Sequence, residues 1–264
     1  MLELKNLHKT FNAGTVNEKH ALVGLSLTLE DGDFVTVIGG NGAGKSTMLN
    51  AVAGVWPVDE GSITIDGVDV TRLSEYQRAR YIGRVFQDPM TGTAATMQIE
   101  ENLALAARRG KKRTLRTGIT REERETYREL LKTLGLGLED RMTTKVGLLS
   151  GGQRQALTLL MATMEKPKLL LLDEHTAALD PKTALKVLTL SNKLVEENHL
   201  TTLMITHNMK DAIKYGNRLI MMHEGHIIYD VRGEEKKNLH VSDLLAKFEQ
   251  ASGGEFANDR MMLS

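Results

Sequence analysis

Apolar and polar residues alternate at the start of the chain, and this spacing predicts β-strands. Side chains of a strand point alternately to the two faces of a sheet, so every second residue can face a core. The apolar positions of the pattern are Leu2, Leu4, Leu25, Leu27, Leu29, Ile63 and Ile65. Two further short strands, at 34–38 and 82–86, are mostly apolar and end at a glycine stretch and at Gln87. The N-terminal part is therefore predicted to be rich in strands.

Beyond residue 88 the chain becomes charged and takes the spacing of helices, which are predicted at 99–109 and 121–134. Helix and strand then alternate. The later predicted elements are helices at 153–165 and 181–197, strands at 168–172 and 201–205, a hairpin at 218–229 and a last helix at 241–250. Such alternation favours a largely parallel sheet with helices on its faces, interrupted by a helical insertion.

The glycine stretch has the spacing of a phosphate-binding loop. Four residues separate Gly39 from Gly44, which Lys45 and Ser46 follow, between a predicted strand and a predicted helix. Glycines let backbone amides converge on phosphate oxygens, and a helix N-terminus attracts anions. Lys45 is expected to reach the β and γ phosphates of ATP, and the Ser46 hydroxyl is expected to coordinate Mg²⁺. Thr47 is expected in the outer shell of the same site.

An apolar run at 169–172 ends in two carboxylates, Asp173 and Glu174. Taken alone, this pattern is typical of a buried strand with an acidic turn. After a phosphate-binding loop it predicts that Asp173 binds Mg²⁺ and that Glu174 polarises the attacking water as a general base. Both residues leave the carboxyl end of a strand, where open α/β sheets bind ligands.

A second glycine motif, Leu-Ser-Gly-Gly-Gln at 149–153, precedes a predicted helix. Ser150 is a suitable N-cap, and the helix N-terminus can receive an anion, so the chain carries two sites suited to phosphate. With the two motifs in this order and an acidic strand end after them, the chain resembles the ATP-binding-cassette (ABC) ATPase family over residues 2–232.

The resemblance implies an α/β fold: a P-loop NTPase of ABC type with a mixed sheet core, an N-terminal antiparallel β part and an inserted helical subdomain. The expected division places an ATP-binding core at 1–87 and 156–232. The helical subdomain is expected at 88–155, and a short helical tail at 233–264.

Family resemblance also implies roles for residues at other strand ends. Gln87 matches the Q-loop glutamine, which contacts Mg²⁺ and water, and His207 matches the switch histidine, which contacts the γ phosphate; with Glu174 they form the expected catalytic set. The expected ATP-binding residues are Phe11, Gly39, Asn41, Gly42, Gly44, Lys45, Ser46, Thr47 and Gln87, and the expected Mg²⁺ ligands are Ser46, Gln87 and Asp173. Phe11 is equally compatible with adenine stacking and with a place in the core.

In the family, the Leu-Ser-Gly-Gly-Gln motif faces the nucleotide of another subunit. The resemblance therefore implies a head-to-tail dimer with a second copy, or with a homologous cassette, around two ATP molecules. The residues expected to contact the partner's ATP are Ser150, Gly152, Gln153 and, in the D-loop, Asp180. The chain departs from the usual family sequence at His175 and Ala177, where Pro and Ser are common. Proline would fix φ, so this loop is expected to differ in stiffness.

Charge and composition narrow the function. The 34 Lys and Arg residues balance 34 Asp and Glu residues, which disfavours nucleic acid as the main partner, and the absence of Cys excludes disulfides and thiolate chemistry. The N-terminus lacks the apolar core of a signal peptide, and no apolar run approaches the roughly 20 residues that span a bilayer. The chain is therefore expected at the cytoplasmic face of the membrane, held there by partners.

A basic run between residues 108 and 121 has no acidic residue within it. Its members are Arg108, Arg109, Lys111, Lys112, Arg113, Arg116 and Arg121. A solvated loop between helices is the simpler interpretation; the alternative is a surface near anionic headgroups or the cytoplasmic loops of a permease.

The resemblance therefore implies the ATP-hydrolysing subunit of a bacterial ABC transporter. Two ATP molecules would close the dimer and hydrolysis would reopen it, moving separate membrane permease subunits. Import is the expected direction of transport, and a small solute such as an amino acid is the expected cargo. An extracellular solute-binding protein is a possible further partner. The alternatives are a soluble ABC ATPase of the iron-sulfur assembly type, an export cassette, and a scaffold that binds ATP without turnover; Glu174 and His207 argue against the scaffold.

Overall fold

The computed structural model describes residues 1–111 and 118–251. The strands are β1 (Leu2–Phe11), β2 (Lys19–Leu29), β3 (Phe34–Gly39), β4 (Glu60–Ile65), β5 (Val68–Asp69), β6 (Ile82–Val85), β7 (Leu169–Asp173), β8 (Thr202–Ile205), β9 (Arg218–His223) and β10 (His226–Arg232). The helices are α1 (Lys45–Ala53), α2 (Glu75–Arg78), α3 (Ile99–Ala107), α4 (Arg121–Lys132), α5 (Gly151–Thr163), α6 (Pro181–Asn198), α7 (Met209–Lys214), α8 (Gly233–Lys237) and α9 (Val241–Ala251). The predicted strands and helices are confirmed with small shifts at their ends, whereas the short helices α2, α7 and α8 were not predicted.

The described residues pack as two units: one holds 1–78 with 199–251, and the other holds 79–198. In the first unit, β2, β1, β4 and β5 form an antiparallel sheet in that order. Leu2 pairs with Leu29 and Leu4 with Leu27, and all four are buried on one face, as the alternating pattern predicts. The N-terminal antiparallel part is thereby confirmed.

The second sheet of this unit is mixed. β3 lies parallel to β8 on one side and to β9 on the other, and β9 and β10 form the predicted antiparallel hairpin. Every residue of β3 is buried, which explains its nearly continuous apolar sequence. β3 leads directly into the glycine loop and α1, so the core fixes the strand that carries the loop.

The C-terminal helices pack into this same unit. Leu244 and Phe248 of α9 are buried against Ile38 of β3 and Met209 of α7. Of the expected tail at 233–264, residues up to 251 are described, and they complete the first unit's core.

In the second unit, β6 and β7 pair in parallel, and α5 packs against β6, α6, α3 and α4. Its core joins Leu103 of α3, Tyr127 and Leu131 of α4, and Leu157 and Leu160 of α5. This unit contains β6, β7 and α6 besides the helical segment, so it is larger than the insertion expected at 88–155. The expected division into core, helical subdomain and tail stays a prediction. None of the described helices is both long enough and apolar enough to cross a bilayer.

Candidate nucleotide-binding site

The glycine loop between β3 and α1 depends on backbone conformations that favour glycine. Gly42 has φ of +79° and Gly44 has φ of +98°, both in the left-handed region. A Cβ atom at Gly44 would lie 2.5 Å from the carbonyl oxygen of Ala21, so β2 leaves no space for a side chain there. Because Gly44 is also the N-cap of α1, the amides of the first helical turn have no side chain of that residue over them.

Lys45 lies across this loop. Its side chain is almost fully buried, and its Nζ donates hydrogen bonds to the carbonyl oxygens of Gly39 at 2.6 Å and Gly40 at 3.0 Å. Ser46 beside it is exposed and Thr47 is half-buried. A fixed cation, a turn of glycine backbone and a helix N-terminus are the groups that bind a nucleotide's phosphates, so these residues fit ATP.

Phe11 is connected to the glycine loop by Lys19 of the neighbouring strand β2. It pairs with Lys19 of β2, and a Cβ atom at Gly42 would lie 2.9 Å from Lys19 Nζ. The Phe11 ring makes an edge-to-face contact with Trp56 at a centroid distance of 5.0 Å, and Lys9 Nζ lies 5.6 Å from its centroid. Its role as an adenine platform stays a prediction. The sequence analysis did not single out Lys19.

His207 follows β8 at the edge of the sheet where β3 enters the glycine loop. β3 and β8 are parallel, with Val37 opposite Ile205, and the amide of Thr206 donates to the carbonyl of Val37 at 3.1 Å. Asn208 then caps α7 by accepting a hydrogen bond from the amide of Asp211. Within the first unit, the glycine loop and His207 are therefore placed at one sheet edge by adjacent parallel strands.

The second unit brings Gln87 and the two carboxylates to one sheet edge in the same way. β6 and β7 are parallel, so Gln87, which is exposed, and Asp173 leave them on the same side. Arg84 Nη2 donates to Asp173 Oδ2 at 3.3 Å, and both side chains are largely buried. The guanidinium of Arg84 also lies 4.5 Å from the centroid of the Phe86 ring. Arg84 was not predicted as a site residue, although it is a lone cation in an apolar strand of the sequence.

Glu174 has an unusual backbone conformation. Its φ is +45°, a left-handed value that is uncommon for a residue with a side chain. The carbonyl of Glu174 accepts a hydrogen bond from the amide of Ala177 at 2.9 Å, which closes a tight turn after β7. A strained backbone conformation persists only where the surrounding structure holds it in place. Such conformations are frequent at functional sites.

His175, directly after Glu174, is buried, with 2% of its surface exposed. Its Nε2 lies 2.9 Å from the Oγ of Ser191 on α6. Burial lowers the pKa of His175 to about 4, so the imidazole is neutral at neutral pH. The sequence analysis noted His175 only as a departure from the family pattern.

The second glycine motif forms the start of α5. Ser150 Oγ accepts a hydrogen bond from the amide of Gln153, and the Gln153 side chain accepts one from the amide of Ser150, so the predicted cap is confirmed as a capping box. A Cβ atom at Gly152 would lie 2.2 Å from Cγ2 of Thr183, so a side chain there would force Thr183 to move. Asp180 caps α6 by accepting from the amide of Thr183 at 3.1 Å, and hydrogen bonds from Thr183 lower its pKa.

The helix α5, which follows this second glycine motif, is also joined to the end of β6. Gln155 is fully buried on α5, and its Nε2 donates to the carbonyl of Phe86, next to Gln87, at 3.1 Å. Sequence reasoning did not single out Gln155. Among the described residues, no group of three or more His, Asp or Glu side chains forms a metal cluster. Hydroxyl and single carboxylate oxygens, such as those of Ser46 and Asp173, are the protein ligands that Mg²⁺ takes beside phosphates.

Part of the basic run lies within the described residues and is engaged in local contacts. Arg108 pairs with Glu123 at 3.1 Å, Lys111 pairs with Glu165 at 2.7 Å, and Arg109 donates to the carbonyl of Ala162 at 3.0 Å. Lys112, Arg113 and Arg116 lie outside the described residues. A role of the run at a membrane surface stays a prediction.

Comparison with known proteins identifies the family of this chain. The family described as ABC transporter matches residues 22–177. The chain is 47% identical over 251 residues to a tyrosine transport ATP-binding protein of Clostridioides difficile (strain R20291), covering 95% of this chain and 100% of that protein. It is 32% identical to a phosphonates import ATP-binding protein of Lactobacillus johnsonii, covering 92% of this chain and 95% of that protein.

The solved structures that match this chain are also ATP-binding cassettes. A dimeric post-hydrolysis state of the ATP-binding cassette MJ0796 bound to ADP and Pi is 32% identical, with a TM-score of 0.74, and the match covers 88% of this chain and 98% of that one. The ADP conformation of MJ1267, an ATP-binding cassette of an ABC transporter, is 30% identical, with a TM-score of 0.78 and coverage of 97% and 99%. The chain therefore belongs to the ABC transporter family, as an ATP-binding subunit that hydrolyses ATP.

Proposed function

We propose that this subunit drives the import of a small solute, an amino acid in the first place, through separate membrane permease subunits. The observation that carries the ATP-driven part is the glycine loop, where buried Lys45 bridges the carbonyls of Gly39 and Gly40. The tyrosine transport relative supports the amino-acid class, since it matches over nearly the whole chain. A relative named for phosphonate import supports the direction.

The proposed roles follow the chemistry of each side chain. Lys45 and the loop amides bind the phosphates of ATP, and Phe11 stacks on adenine. The hydroxyl of Ser46, the carboxylate of Asp173 and the amide of Gln87 are the proposed ligands of Mg²⁺, which when bound neutralises phosphate charge. Glu174 accepts the proton of the attacking water, and His207 contacts the γ phosphate.

Two copies of the chain are proposed to enclose two ATP molecules. Ser150, Gly152, Gln153 and Asp180 of one copy would then complete the ATP site of the other. The dimeric state in which the cassette MJ0796 was solved supports this arrangement. The cassette cbiO1 of Clostridium perfringens, described as part of the ABC transporter complex cbiONQ, supports assembly of this chain with permease subunits. Those subunits would hold the chain at the cytoplasmic face of the membrane, and an extracellular solute-binding protein would deliver the cargo.

Replacing Glu174 by Gln tests the proposed chemistry. The amide keeps the shape of the carboxyl group but cannot accept the proton of water, so ATP hydrolysis is expected to fall about 100-fold or more. ATP binding is retained, and a dimer is expected on size-exclusion chromatography with MgATP. Glu197→Gln is the matched control, because Glu197 is an exposed carboxylate whose partner is Lys193 at 3.8 Å. Normal hydrolysis by Glu174→Gln would remove Glu174 as the base.

The cargo and the direction of transport are tested by isolating the membrane proteins that co-purify with this chain and reconstituting the complex in vesicles. Inside-out and right-side-out vesicles are supplied with ATP on the cassette side and with labelled tyrosine, another amino acid or a phosphonate. Uptake of an amino acid that disappears with Glu174→Gln supports the proposal. Outward transport instead identifies an export cassette, and failure to co-purify with any membrane protein identifies a soluble ABC ATPase.

A further inference from the structure

His175 occupies an unusual place for a polar side chain, because it is buried immediately after the strained residue Glu174. The imidazole Nε2 lies 2.9 Å from the Oγ of Ser191, which is itself buried on α6. Ser191 is separated from the loop by more than two turns of helix, so this hydrogen bond joins the turn after β7 to the middle of α6.

The direction of this hydrogen bond follows from counting protons. Ser191 has one hydroxyl proton, and its Oγ donates to the carbonyl of Val187 at 2.9 Å. With that proton used, the Ser191 oxygen can only accept from His175, so the imidazole carries its proton on Nε2 and donates. The Nε2–H group of His175 and the hydroxyl of Ser191 thereby both have hydrogen-bond partners inside the core, as buried polar groups require.

The loop between β7 and α6 is held at both of its ends. At the α6 end, Asp180 caps the helix through the amide of Thr183. At the β7 end, the contacts of the turn include the bond from the amide of Ala177 to the carbonyl of Glu174 and the bond from His175 to Ser191. Left-handed φ at Glu174 is unfavourable for a side chain, and such a conformation persists only where neighbouring contacts impose it.

We propose that His175 is a positioning residue, whose Nε2–H bond to Ser191 anchors to α6 the turn that carries Glu174. The inference rests on the proposed role of Glu174 as the base. Without the anchor, Glu174 could relax toward negative φ, which would turn its carboxylate away from the position set by β7. ATP affinity is expected to change little, because the hydrogen bond from His175 to Ser191 lies within the second unit, whereas the glycine loop belongs to the first.

Substitution of His175 by Gln or by Asn distinguishes a hydrogen-bonding role of the side chain from a role in packing alone. Gln places an N–H near the position of imidazole Nε2, whereas the shorter Asn cannot reach Ser191. We expect His175→Asn and Ser191→Ala each to lower kcat about three- to tenfold, which corresponds to the energy of one neutral hydrogen bond. The Kd of a fluorescent ATP analogue should stay within about twofold of the wild-type value. His175→Gln should restore kcat. The double variant His175→Asn/Ser191→Ala should be no slower than either single variant.

Thr189→Ala is the matched control. Thr189 lies on the same helix and makes the same kind of hydroxyl bond to the carbonyl four residues earlier, that of Leu185 at 2.8 Å, but it is exposed and not bonded to the loop. Hydrogen exchange without nucleotide gives a readout that does not depend on activity. The amide of Ala177 should exchange faster in His175→Asn and Ser191→Ala, and at the wild-type rate in His175→Gln and Thr189→Ala.

Unchanged kcat and unchanged exchange at Ala177 in His175→Asn and Ser191→Ala, with only a lower melting temperature, would overturn the anchor. Additive losses in the double variant would overturn it as well. Glu174→Gln, measured in parallel, separates this result from the proposed function. If that variant hydrolyses ATP normally, Glu174 is not the base, while the exchange of Ala177 still decides whether His175 holds the turn.

Discussion

At the scale of single residues, the candidate site depends on conformations and protonation states that side chains would not adopt alone. Glu174 is held at φ of +45°, and the neutral imidazole of His175 is enclosed in the core. The buried Nζ of Lys45 donates hydrogen bonds to two backbone carbonyls of the glycine loop. In each case the neighbouring structure supplies the interaction that makes the state stable.

The burial of His175 predicts a pH dependence of stability. The folded protein binds a proton at this imidazole only near its lowered pKa of about 4, whereas the unfolded chain binds one near the ordinary value of 6.5. Above 6.5 both states are neutral there and no stability is lost. As the pH falls through 6.5 the unfolded chain binds the proton first, so the free energy of unfolding should fall by about 2 kcal/mol between pH 7 and pH 5 from this residue.

Urea denaturation of wild type and His175→Gln across this pH range checks the prediction. Gln keeps a hydrogen-bond donor but does not titrate, so the variant should lose about 2 kcal/mol less than wild type over the same interval. Equal losses in the two proteins would show that His175 does not bind its proton differently in the folded and unfolded states.

At the scale of secondary structure, helix ends carry much of the site. α1 begins at the glycine loop, α5 begins with the Ser150 capping box, and α6 begins at Asp180. The other end of α1 is held by Arg78, which is buried. Its Nη1 donates to the carbonyls of Ala51 at 2.7 Å and Val52 at 2.9 Å. A cation at the carboxyl end of a helix satisfies free carbonyls and complements the helix dipole.

Replacing Arg78 by Met should therefore destabilise the protein by about 3 kcal/mol, because hydrogen bonds from a charged group to several buried carbonyls are lost together. Besides the two at the end of α1, these include the carbonyls of Leu73 and Thr71, each at 2.9 Å. Arg72→Met, at a neighbouring exposed position, should change the free energy of unfolding by less than about 0.5 kcal/mol. Urea midpoints measure both, and similar values would contradict a capping role for Arg78.

At the scale of the whole molecule, the second phosphate-suited motif distinguishes an ABC subunit from a protein that only binds ATP. If Ser150 contacts the ATP of a second copy, Ser150→Arg should leave nucleotide binding by the monomer largely intact and stop turnover, because a bulky cation would fill the shared site. Binding of a fluorescent ATP analogue and steady-state phosphate release measure the two effects.

Thr120→Arg controls for the lost helix cap. Thr120 caps α4 with the same capping box, formed with Glu123, so both variants should lose about 1 kcal/mol of stability through the cap. Thr120→Arg should keep its turnover. Turnover by Ser150→Arg at the level of Thr120→Arg would contradict the two-copy site.

Local motifs were the part of this site that the sequence could predict. The spacing from Gly39 to Ser46 requires a particular loop, and Ser150 with Gln153 three residues later is the pattern of a capping box, so both could be predicted from neighbouring residues alone. Contacts between distant residues have no such signal. Arg84 with Asp173, Gln155 with Phe86, and His175 with Ser191 became visible only in the folded chain.

The sequence by itself determined the family, the order of the elements and the residue types for ATP chemistry, because periodicity and motif spacing are local properties. Only the tertiary structure decided that α9 completes the core behind β3 and that the turn at Glu174 is tied to α6. These depend on which buried surfaces and polar groups meet after folding. A histidine where the family usually has proline is therefore ambiguous in the sequence, whereas in the folded protein it is a buried hydrogen-bond donor to Ser191.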